Sequence, residues 1–118
     1  MLKNEESRTD NGIIRIHKNV IASVAAIAAA EIEGVKGVGK NLSAGFLALL
    51  QDKSAHSIRV EFDRNGEARI EIPLIIKYGF NIPEVAGKVQ ENARAALEKM
   101  TNVSIKDINI NVRAIDNS

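Results

Sequence analysis

An α+β fold, a mostly antiparallel sheet with two main helices on one face in a βαββαβ-like order, is what these 118 residues predict. Three observations carry the prediction. Apolar and charged residues alternate through "SIRVEFDRNGEARIEIPLIIKYG", the period of a half-buried hairpin. Two segments, ending near Ile32 and near Met100, repeat their apolar residues at helical spacing. Alternation then returns in "VSIKDININVRAI", after the second of those helices.

In chain order, residues 1–11, "MLKNEESRTDN", are polar and read as a disordered N-terminal tail, leaving 12–118 as a single domain. "GIIRI" follows as a short strand. The first helix is expected to start near Lys18 to Val20, with Asn19 as its cap, and to run to about Ile32 on alanine's high helix propensity. Its buried stripe is predicted as Val20, Val24, Ile27 and Ile32, widened by Ile21, Ala25 and Ala28. Gly34 then ends the helix, where tolerance of positive φ suits the position past the last turn. Val35 and Val38 make a short, glycine-weakened extended segment. "SAGFLALLQ" is a smaller apolar unit of one or two helical turns, and "DKSAHS" a polar loop.

In the hairpin, Ile58, Val60 and Phe62 alternate with Arg59 and Glu61, and Asn65-Gly66 marks the turn. The return strand sets Ala68, Ile70, Ile72, Leu74 and Ile76 against Arg69, Glu71 and Lys77. Pro73 removes a ladder donor, which predicts an edge strand or a bend. The second helix has Asn81 as cap with Glu84 three residues on, Pro83 in its first turn, and Ile82, Val85, Val89, Ala93, Ala96, Leu97 and Met100 as its stripe. Glu84 with Lys88 and Arg94 with Glu98 are i, i+4 pairs on the wet side. In the last strand Ile108, Ile110 and Val112 share a face. Val103 and Ile105 are out of phase with them, which predicts a bulge or turn near Lys106-Asp107.

Composition excludes several classes of function. Sixteen basic against fifteen acidic residues leave a net charge of +1, without the broad field that draws nucleic acid or an anionic membrane. The absence of cysteine removes disulfides and thiolate metal sites and fits a reducing cytoplasm. His17 and His56 stand alone, so no zinc pattern forms. No stretch reaches the ~20 apolar residues of a spanning helix, and no leader pattern opens the chain, so it is expected to be soluble. Phe46, Phe62, Phe80 and Tyr78 are too few for base-stacking platforms. Glu5/Glu6, Glu31/Glu33 and Glu61/Glu71 read as solvated carboxylates, and no serine stands in a G-x-S-x-G setting. No catalytic, cofactor-binding or metal-ligating residue is assigned.

Two segments remain as candidates. "GVKGVGKNLS" nearly matches a phosphate-binding loop through Gly34, Gly39 and Lys40, but Asn41 holds the hydroxyl position and a helix rather than a strand precedes it. Gly34-Val35-Lys36-Gly37, with Gly39 and Lys40, also suggests the G-x-x-G clamp of a KH domain, the alternative nucleic-acid-binding function, although Val38 to Leu42 intervene before the next helix. Phe46, Leu47, Leu49 and Leu50 are too apolar for a solvated loop; they either close the core or form a patch for a partner.

The pieces "GIIRI", "VIASVAAIAAAEIEGVKGV" and "YGFNIPEVAGKVQENARAALEKMTNVSIKDININV" resemble the alkaline shock protein twenty-three and general stress protein twenty-four family of the bacterial envelope stress response, from Gly12 to about Ile115. His17 departs from the serine-like cap usual before the family's first helix. The resemblance implies a small cytoplasmic α+β protein with no established catalytic site. It implies action through self-association and through partners: a small membrane-anchor protein at the inner face of the cytoplasmic membrane, or acetyl-CoA carboxylase. No cofactor and no small-molecule substrate are expected.

Overall fold

In the computed structural model, residues 18–39 and 57–117 are described. The order is a helix over residues 18–30 (α1), β1 (Val35–Val38), β2 (Arg59–Phe62), β3 (Ala68–Lys77), a second helix, α2 (Ile82–Met100), and β4 (Ile105–Asp116). The fold is α+β as the alternation and the two stripes predict. The expected strand at 12–16 and the tail before it lie outside the described residues, as does the segment around Phe46.

β3 organises the sheet. Ala68, Ile70, Ile72, Leu74 and Ile76 are all buried, and they pack in one cluster with the alanines of α1 and with Val85, Val89, Ala93 and Leu97 of α2. Burying a large aliphatic side chain contributes about 1.5–3 kcal/mol, so this strand anchors the core. β1 and β2 both pair antiparallel with β3, β2 along its first half and β1 along its second, while β4 pairs with it in parallel.

That arrangement corrects the edge-strand half of the expectation for Pro73. β3 is the central strand and lies at no edge. Arg59 of β2 faces Glu71 and Val38 of β1 faces Leu74, so Pro73 falls in the gap between the two neighbours. Its carbonyl still accepts from Gly39 N–H at 3.0 Å, and a proline costs the ladder nothing where no acceptor waits for its missing N–H.

The first helix is also rotated from expectation. Ile21, Ala22, Ala25, Ala26, Ala28 and Ala29 are buried, whereas Val20 (43% exposed) and Ile27 (55%) face outward and Val24 and Ile32 are only partly covered. The chain is already helical at Lys18, so Asn19 is a residue of the helix and not its cap. At the other end Gly34 adopts φ +102°, as a residue past the last turn should, and Val35 N–H donates to Ile32 O at 3.1 Å.

α2 matches its signals closely. Asn81 Oδ1 accepts from Glu84 N–H at 2.9 Å, Pro83 sits in the first turn, and Thr101 closes the helix by donating through both its N–H and its hydroxyl to Leu97 O. Ile82 and Met100, at the ends of the predicted stripe, are exposed. The hairpin turn lies at Asn65-Gly66, with Gly66 at φ +78°, but Asp63 holds it: its Oδ1 accepts from Asn65 N–H and Glu67 N–H. In β4 the pairing skips Lys106, the bulge that the phase slip predicts. A second irregularity, at Arg113, has no such signal.

Candidate interaction surface

Helix direction decides where the uncovered apolar residues meet. Asn92 Nδ2 donates to Ala28 O (2.7 Å) and to Glu31 Oε1 (3.0 Å), tying the middle of α2 to the end of α1. The two helices run antiparallel, and the start of α1 reaches the end of α2. There Val20, Ile21, Met100, Thr101, Asn102 and Val103 line a cleft of about 320 Å3. Met100 is 67% exposed. Val20 and Ile27 lie two helical turns apart on one side of α1, with Val24 between them, so a continuous apolar stripe runs from the cleft along the outside of α1. At the opposite end of the helix layer Tyr78, Phe80 and Ile82 are exposed at the corner between β3 and α2. Scattered apolar residues need no explanation on a protein surface; a row of them beside a cleft does.

Several of the described charged residues are occupied with one another. Glu84–Lys88 (3.9 Å) and Arg94–Glu98 (3.8 Å) form on the wet side of α2 as their spacing predicts, and such exposed pairs add little stability. Glu61 and Glu71 face Arg69 and Arg59 respectively across the β2–β3 ladder, and Glu71 also accepts from Asn111 Nδ2 at 3.0 Å. Glu31 is held by Asn92. Asp63 faces Lys106 Nζ at 3.6 Å. The donors from Glu67 and Asn65, with that ammonium nearby, hold its carboxyl below the usual carboxylate range against the opposing pull of partial burial. Among the described residues no group of histidine, cysteine, aspartate and glutamate could hold a metal ion.

The glycine segment takes a defined place. Gly34, Lys36, Gly37 and Gly39 belong to β1 and its ends, paired with β3, and do not form a loop joining two helices. Gly34 O accepts from Lys77 N–H at 2.8 Å, and Lys36 Nζ lies 3.6 Å from Asp116 Oδ2. Lys40 and the residues Phe46, Leu47, Leu49 and Leu50 lie outside the described residues. The stripe of Val20, Ile27 and Met100 escaped the sequence reading because apolar periodicity alone assigns such residues to the core. Asn92 and Asp63 carried no recognisable signal beyond, for Asp63, its place two residues before Asn-Gly.

Comparison with solved structures bears on the fold. The chain shares its fold with the MamM CTD and several of its variants, at a TM-score of 0.51 and 14% identity, over 83% of this chain and 98% of one variant. Residues 6–117 match the alkaline shock protein 23 family, described by a cell envelope-related function, and the chain belongs to that family. Two Bacillus subtilis (strain 168) relatives agree. YqhY is 34% identical over 116 residues, covering 98% of this chain and 85% of the relative. YloU is 32% identical over 112 residues, covering 93% of each. Among the described residues no helix is long and apolar enough to cross a membrane.

Proposed function

We propose that this protein serves the envelope stress response without catalysing a reaction, by associating with itself and with a membrane-anchored or metabolic partner. The observation that carries the proposal is the uncovered apolar stripe of Val20, Ile27 and Met100 beside its cleft, a shape suited to an apolar segment of another protein. Family membership sets the setting as the cell envelope. A small membrane-anchor protein would hold the chain at the inner face of the cytoplasmic membrane; acetyl-CoA carboxylase is the metabolic candidate that the resemblance brings.

Crosslinking and pull-down from the native cell test this, with wild type beside Ile27→Asp and Met100→Asp. Both positions are exposed, so both variants should fold. Recovery of a small membrane protein or of carboxylase subunits, reduced by these changes, is the expected outcome. Phe46→Asp tests the second candidate patch in the same experiment. Recovery of RNA-dependent partners alone, sensitive to Lys36→Glu and Lys40→Glu and to salt, would replace the proposal with the nucleic-acid alternative at Gly34–Lys40.

A further inference from the structure

The outward face of α1 alternates large and small residues. Val20, Ser23, Ile27 and Ala30 recur three and four residues apart, on the side away from the buried Ile21, Ala25 and Ala28. Val20, Ile27 and Ala30 are exposed and Ser23 is half-buried. The outward side of α2 is equally well defined. Glu91, Ala95 and Lys99 are exposed, and each lies two residues, about 200° round the helix, from one of the buried Val89, Ala93 and Leu97. Among the described residues neither Glu91 nor Lys99 belongs to an ion pair. Asn92 meets Ala28, and Met100 lines the cleft with Val20, so Ala95 stands level with Ala25 across the helix layer.

One symmetry operation satisfies both faces. A second copy laid face to face, with its helices antiparallel about a two-fold axis level with Ala25, sets Ile27 of each copy on Ser23 of the other. It also sets Val20 on Ala30, so a large side chain lies over a small one at every step. The same axis passes Ala95, so the two α2 helices approach each other at alanine. On either side of it Glu91 of one copy stands opposite Lys99 of the other. The axis that fits the apolar row of α1 is therefore the one that pairs opposite charges on α2, and the level of α2 was set by contacts inside one chain.

We propose that the outward face of the helix layer is a self-association site, on which two copies stack α1 on α1 and α2 on α2, antiparallel and with isologous contacts. The occupant is a second copy because that copy supplies the small residues over which Val20 and Ile27 fit and the charges that complement Glu91 and Lys99. This names an occupant for the α1 stripe and rests on the association reading above. A stripe paired with a second copy is closed to any other partner, so self-pairing and capture compete for one face.

Sedimentation velocity of the full chain over a wide concentration series tests it, and a reversible dimer is the expected result. Lys99→Glu, which sets carboxylate against carboxylate twice in each dimer, should weaken dimerisation about tenfold, and adding Glu91→Lys should restore it. The chain has no cysteine, so Ala95→Cys supplies a single thiol at the axis and should crosslink two copies under mild oxidation, whereas Arg64→Cys at the hairpin turn should not. All four positions are exposed, so the variants should fold. A dimer indifferent to Lys99→Glu, with no crosslink through Ala95→Cys, overturns this face and leaves self-association standing on another surface. A chain monomeric at every concentration overturns self-association itself, while the pull-down with Ile27→Asp judges capture of another partner independently.

Discussion

Gly34 joins the helix layer to the sheet under tight constraint. Its φ is +102°, and a Cβ there would lie 2.8 Å from Phe80 Cδ2 and 2.9 Å from Val85 Cγ2. Gly34→Ala should therefore lower stability by about 1–3 kcal/mol, read as an earlier midpoint in urea unfolding. Asp63 makes a pH-dependent contribution. Its carboxyl is held below the ordinary range, first by the Glu67 N–H donor, so the stability it adds is present above its unfolded pKa and is lost as pH falls through the folded value. Wild type should exceed Asp63→Asn in stability at neutral pH, and the gap should narrow on acidification through the carboxylate range. A gap that widens in acid would sink the assignment of Asp63 as the group that holds the turn.

At the scale of the element, α2 separates position in a stripe from burial. Leu97 and Met100 belong to one apolar row in the sequence, yet Leu97 is 0% exposed and Met100 67%. Leu97→Ala should cost about 2–5 kcal/mol by emptying a core site, whereas Met100→Ala should fall within about 0.5 kcal/mol of wild type. Calorimetry on the two variants side by side decides. Loss of the cap in Asn81→Ala should cost about 1 kcal/mol and leave the fold intact. In α1 five alanines join Ile21 on the buried side, while Val20 and Ile27 face outward.

Across the whole molecule, the apolar stripe on α1 and the buried row of α2 belong to different elements, and substitutions at distant sites act independently. Ile27→Asp should reduce partner capture with little change in stability, Leu97→Ala the reverse, and the double variant should show both losses with no interaction between them. Measuring urea unfolding and pull-down yield on the same three proteins checks this. Loss of capture by Leu97→Ala where that variant is still folded would mean that the stripe is not the surface that captures the partner.

The alternation of Ala68 to Ile76 determined by itself which face of β3 joins the core cluster, because a period of two admits one assignment once a face is apolar, but it did not announce that Pro73 and Ile75 on the opposite face are buried as well. The phase slip before Ile108 likewise announced the bulge at Lys106, and Asn81, Glu84 and Pro83 placed the start of α2. These are local consequences of backbone geometry, so they are legible in the sequence. Tertiary structure alone decided which side of α1 is buried, since an alanine-rich helix has little hydrophobic contrast and packing distance selects its face. It also decided that Pro73 sits in a central strand, because the gap it occupies is made by two segments far apart in the chain meeting along one edge of β3. The candidate stripe came from that same level: exposure is a property of what covers a residue, and the covering elements are distant in sequence.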